Sequence, residues 1–142
     1  DTNPGSWLPS AKVLHQELDR VAGQSALVLV GDFNCAAGSD AHQYLVHDAG
    51  FRDAWHEAGC RDDGVITYHG FTGVTCLPES LTSDEGSAMR VFPADARALH
   101  NYRIDWILVR GPLRCVTAAI DDRRDRDLLP SDHYAVIADL HW

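Results

Sequence analysis

Three short runs set reactive side chains against apolar neighbours: Gly31-Asp32-Phe33-Asn34, Tyr102-Arg103-Ile104-Asp105-Trp106-Ile107 and Ser131-Asp132-His133-Tyr134. A carboxylate such as Asp32 can take a proton from water or hold a metal ion, and an amide such as Asn34 can donate to an anionic oxygen. Spaced by two, they project to one side of an extended chain. An ordinary strand-to-turn exit also favours Asp and Asn, with no chemistry attached. Asp105 lies inside an apolar run, where a carboxylate is costly to bury unless it is paired. Two partners are open to it. Arg103, on the same face of the expected strand, would make a structural ion pair. A histidine from a neighbouring strand would instead have its tautomer fixed and its charged form stabilised by Asp105. A histidine such as His133, preceded by Asp132, can pass on a proton; the same run also reads as a capped turn.

These residues need a frame. Residues 1–9 read as a loop, and the apolar spacing of 10–22 as a helix stopped by Gly23. Residues 26–30, a β-branched apolar run, read as a strand buried on both faces, with Gly31-Asp32-Phe33-Asn34 directly after it. Ser39 or Asp40 can cap a second helix that runs to Ala49, with Gly50 as its stop and a possible helical turn in 51–58. A brief strand is expected over 65–68 and a long surface loop over 77–101. Strands over 102–110 and 113–120 should form a hairpin turned by Gly111-Pro112. A solvated turn follows over 121–127, then a last strand over 134–140. The class is α/β, with every reactive run at a strand end.

With 142 residues, 45% of them apolar, one domain over 1–142 is expected. The net charge of −9 argues against a basic groove for nucleic acid, unless bound cations intervene. No apolar run is long enough to span a membrane, so a soluble protein is expected, with cytoplasmic and secreted locations both open. Cys35, Cys60, Cys76 and Cys115 contain no C-x-x-C pair; two disulfides or four free thiols remain open. His42 and His47 are five apart and do not share a helix face, so no helical metal pair is expected. Arg90, Arg97 and His100 read as solvated loop charges, and Trp55, Trp106 and Trp142 as packing residues.

Taken in order, Gly-Asp-Phe-Asn, Arg-Ile-Asp-Trp-Ile and Ser-Asp-His-Tyr-Ala-Val closely resemble the motifs of the endonuclease/exonuclease/phosphatase superfamily, the DNase I-like metal-dependent phosphoesterases. Thr67-Tyr68-His69-Gly70-Phe71 is similar to a segment of bacterial members. The resemblance runs from about Ala26 to Leu140 and implies a four-layer αββα sandwich. This chain would be its C-terminal half, an N-terminally truncated domain holding one mixed or antiparallel sheet flanked by helices. The resemblance assigns Asp32, Asn34, Asp105 and His133 to catalysis. Asp32 would handle the attacking water and Asn34 the scissile phosphate. Asp105 would pair with His133, which donates to the phosphoryl oxygen. It also assigns Asp32 and Asp132 to Mg²⁺ or Mn²⁺ and Asn34 to substrate, while His69 reads equally as a substrate contact and as a structural turn residue. The implied activity is hydrolysis of a phosphomonoester or phosphodiester on a small molecule or lipid headgroup. The alternatives are a nuclease on DNA or RNA and a non-catalytic association domain. The implied partner is the missing half, or a second copy, docked on an open apolar sheet face.

Overall fold

A computed structural model describes residues 4–76 and 102–142. The expected loop over 77–101, with Arg90, Arg97 and His100, lies outside the described residues. Helix α1 spans Pro4–Ala22, six residues earlier than its apolar spacing suggests. The first helical turn has no use for N–H donors, so Pro4 costs nothing there. Pro9 forfeits a single intrahelical bond, and the helix runs through it. Gly23, at φ 55, closes α1 by donating its N–H to Asp19 O at 3.0 Å.

Strand β1 (Leu27–Asp32) follows. Ser39 caps α2 (Asp40–Gln43), which widens into a π-helical turn over Tyr44–Asp48 before Gly50, so the expected second helix changes its hydrogen-bond pattern midway. A short strand β2 (Arg52–Asp53) leads into α3 (Ala54–Glu57). The long strands β3 (Asp105–Arg110), β4 (Arg114–Asp121) and β5 (Ala135–His141) complete the chain.

Every ladder is antiparallel: β1-β3-β2 form one, β4-β5 the other. The expected β3–β4 hairpin does not form. Both edges of β3 are taken by β1 and β2, so β4 can only pair elsewhere and takes β5. Gly111, at φ 89, makes the exit from β3 beside Ala26, whose Cα would lie 3.1 Å from any Cβ at this position. Residues 65–68 are not a strand but a stitch between the ladders. Ile66 bridges Tyr102, and Tyr68 bridges His133.

The helices cover one face of β1 and β3. Ala11, Ala41, Leu45 and Phe51 pack there with Trp106 and Leu108, and Phe33 stacks on Trp106 at 4.3 Å. The opposite face of β1 is open: Val28 and Val30 are 47% and 61% exposed. Strand β1 is therefore buried on one face, not both, because among the described residues helices cover it from one side only. Trp142 is also exposed and takes no part in the core. No described helix is long and apolar enough to cross a membrane. The stitch adds its own packing through Ile66, which is fully buried. Ile66→Val is expected to lower stability by about 1 kcal/mol, measured by chemical denaturation.

Candidate phosphoesterase site

Asp32 ends β1 and Asp105 begins β3, and the ladder places them directly opposite each other. Phe33 N–H donates to Ile104 O at 2.9 Å. The preceding pair, Asp32 and Asp105, therefore occupies the narrow, non-hydrogen-bonded position, with both side chains on one face. Like charges so placed repel. Each carboxylate has a donor of its own. Asn34 N–H gives 2.8 Å to Asp32 Oδ1, and His133 Nδ1 lies 2.9 Å from Asp105 Oδ2. Of the two partners open to Asp105, the histidine is the one it has.

His133 is held by the stitch. The N–H groups of His69 and Gly70 donate to Asp132 O at 2.9 and 3.2 Å, and Tyr134 N–H donates to Thr67 O at 2.7 Å. Ser131 Oγ accepts from His133 N–H at 3.1 Å, and the Tyr68 ring lies 5.0 Å from the imidazole. Asp105 and His133 open into a cleft of about 460 Å³ whose apolar wall includes Val30, Ile107 and Val136.

Neither Asp32 nor the remaining assigned residues line that cleft. Asn34 has φ 53, so the chain is not extended there, and the same-side argument from spacing stops at Asp32. The tight turn that bonds Asn34 N–H to Asp32 Oδ1 is the reason. Asn34 lines a separate cavity with Trp7 and Phe33. His69 is fully buried, its ring 4.0 Å from that of Tyr134, and among the described residues neither ring nitrogen has a hydrogen-bond partner. Burial pushes its pKa down, favouring the neutral imidazole. Asp132 is half-buried, with Ser131 Oγ 3.4 Å from its carboxylate.

Arg103 turns away from Asp105. Its guanidinium donates to Asp53 Oδ2 at 2.7 Å and to Asp62 Oδ1 at 2.8 Å. The expected shared face fails because the regular strand begins only at Asp105. Asp53 also pairs with His42 Nε2 at 2.8 Å, and His56 Nε2 lies 2.5 Å from Asp62. Among the described residues, His42, Asp53 and His56 form a cluster suited to a metal ion, with ligand atoms within 4.8 Å of one another. Spacing did not reveal it, since its members come from α2, the end of β2 and α3. Arg103 already supplies a cation to that carboxylate.

Burial alone would raise the Asp53 pKa, but the His42 hydrogen bond and the Arg103 charge outweigh it and hold it at about 2. Burial likewise acts to raise the Asp62 pKa, but the hydrogen bonds and charges of His56 and Arg103 outweigh it, and it too is lowered. A depressed carboxylate stabilises the fold fully above its ordinary pKa of 3.8, and that contribution is lost as pH falls through the folded value. The melting temperature is therefore expected to drop between about pH 4 and pH 2, followed by calorimetry. In Asp53→Asn this part of the drop should shrink.

No family model matches the sequence, and no curated protein matches it. Solved structures do. The mannosyl-6-phosphatase of Bacteroides thetaiotaomicron VPI-5482 superposes with a TM-score of 0.70 at 16% identity, over 97% of this chain and 46% of its own. An endonuclease/exonuclease/phosphatase from Bacteroides vulgatus gives 0.67 at 23% identity, over 98% and 45%. A functionally unknown conserved protein from Enterococcus faecalis V583 gives 0.66 at 24% identity, also over 98% and 45%. The chain thus has the endonuclease/exonuclease/phosphatase fold and spans about half the length of these relatives.

Proposed function

We propose that this chain supplies the histidine–carboxylate part of a divalent-metal-dependent phosphoesterase site, hydrolysing a phosphomonoester or phosphodiester with water. The observation that carries the reading is the His133 imidazole 2.9 Å from Asp105, with Asp32 opposite Asp105 in the ladder. In-line attack spreads negative charge over the phosphoryl oxygens, so catalysis is mainly positioning and electrostatic stabilisation. Asp32 orients the attacking water and takes its proton. Asp105 commits His133 Nδ1, leaving Nε2 to donate to a phosphoryl oxygen. Asn34, which lines a separate cavity, serves the site through its N–H to Asp32 Oδ1 and not through its side-chain amide. His69, being buried, supports the site through its backbone bond to Asp132.

Asp32 and Asp132 are the residues that would hold Mg²⁺ or Mn²⁺. Their hard oxygen donors suit those ions, and the facing carboxylates Asp32 and Asp105 leave negative charge for a cation to meet. Such an ion supplies charge to the phosphoryl oxygen and lowers the pKa of its water. The nitrogen-rich His42–Asp53–His56 set is better matched to zinc-like ions.

The net charge of −9 favours a small, sugar, lipid or nucleotide phosphoester over DNA or RNA. The relative named a mannosyl-6-phosphatase accords with that choice. In its longest native form the protein is expected to hydrolyse bis-p-nitrophenyl phosphate with Mg²⁺ or Mn²⁺ and to stop in chelator. Metal-independent turnover would contradict the reading.

The exposed Val28 and Val30 favour a second reading, an association domain whose open sheet face receives the complementary half of the fold or another copy. Val30→Lys is expected to change stability by less than about 0.5 kcal/mol and to abolish association through this face, read by sedimentation. Unchanged assembly would exclude this face as the contact.

A further inference from the structure

We infer that Thr67 is a positioning residue for the Asp105–His133 pair. The role it serves rests on the phosphoesterase reading, but the placement itself does not. Consecutive amides of an extended strand point to opposite edges. Here the N–H groups of Ile104 and Asp105 both converge on Thr67 Oγ1, at 2.9 and 3.1 Å. The backbone therefore bends out of the ladder just before Asp105, and one hydroxyl oxygen satisfies both donors with its two lone pairs. Thr67 is fully buried, away from bulk solvent.

The main chain of the same residue holds the other member of the pair. Thr67 O accepts from Tyr134 N–H at 2.7 Å, next to His133, while Thr67 N–H donates to Tyr102 O at 3.1 Å. The hydroxyl fixes where the Asp105 carboxylate leaves β3. The carbonyl fixes where the imidazole leaves the start of β5. A 2.9 Å contact between side chains that are 28 residues apart depends on both anchors. Valine has nearly the shape of threonine without the oxygen. In Thr67→Val two buried N–H groups lose their acceptor, and the peptide must rotate or admit water to recover a bond. Either movement displaces Asp105 relative to His133.

The test is nuclear magnetic resonance of the ¹⁵N-labelled chain, which needs no turnover. In the wild type, the amides of Ile104 and Asp105 should exchange at least about 100-fold more slowly than open chain, and the His133 Nδ1–H should give a resolved signal. Thr67→Val should lose that imidazole signal while the resonances of Leu45, Phe51 and Leu108 keep their positions. Thr67→Ser, which keeps the oxygen, should restore it. In the active protein, Thr67→Val should lower kcat at least about tenfold with little change in KM, and Thr67→Ser should recover the rate. A folded Thr67→Val chain with the His133 signal intact would overturn the proposal. If Thr67→Val does not fold, open-chain exchange at Asp105 in the wild type, or loss of the signal in Thr67→Ser, overturns it instead. An absence of hydrolysis in every variant would count against the phosphoesterase reading and leave the resonance result to decide the role of Thr67.

Discussion

Replacing His133 by alanine should slow phosphodiester hydrolysis by about 10²–10⁴-fold, the usual weight of a positioned proton donor. On the proposed reading the imidazole donates to the phosphoryl oxygen on which charge grows, and Asp105, 2.9 Å from its Nδ1, orients the ring. Without it, Asp105 faces Asp32 across the narrow pair with no nitrogen beside it. Saturating metal should not rescue the variant, because the loss is of a donor at a stated place and not only of positive charge. The fold should survive, since the His133 side chain is part-exposed and its neighbours are tied by main-chain bonds to Thr67, His69 and Gly70. Circular dichroism and stopped assays of bis-p-nitrophenyl phosphate separate the two effects. A folded His133→Ala protein that retains wild-type turnover would remove His133 from the chemistry.

Arg103→Met should be the most damaging substitution for stability, by about 3–5 kcal/mol. The guanidinium is fully buried and divides its donors between Asp53 and Asp62. Methionine fills much of the volume but leaves Asp53, itself 1% exposed, without its cation. Small domains have only about 5–15 kcal/mol in hand, so the variant should be partly unfolded at physiological temperature. The damage should ease at low pH, where Asp53 takes up a proton, and denaturant titrations at neutral and acid pH measure this directly. Arg103→Lys should recover little, because a single ammonium cannot reproduce the two-sided fork. An Arg103→Met chain as stable as the wild type would mean that the buried network contributes little to the fold.

The parts of the structure that follow local rules were legible beforehand. Apolar spacing marks α1, Ser39 and Gly50 bracket α2 with its π-helical turn, and the β-branched runs mark β1, β3 and β5. The reactive runs were legible because each sits where a strand starts or stops, and the antiparallel register brings Asp32 against Asp105. What could not be read depends on which partner wins a shared edge or face. Gly111-Pro112 signals a turn but not whether β4 returns to β3, and only the occupation of both β3 edges decides it. Alternation in β1 does not tell whether a second layer covers Val28 and Val30. Arg103 stands next but one to Asp105, yet its carboxylates lie 50 and 41 residues away. Thr67 was visible as part of a motif, but a hydroxyl that receives two bent amides leaves no trace in spacing.

The most direct measurement is paramagnetic broadening by Mn²⁺, titrated into the ¹⁵N-labelled chain and followed at assigned amides. Signals of Asp32, Asp132 and His133 should broaden first, with Mg²⁺ competing and reversing the effect. Broadening centred on His42, Asp53 and His56, with Asp32 and Asp132 left sharp, would contradict a cation held at the carboxylate end of β1 and β3.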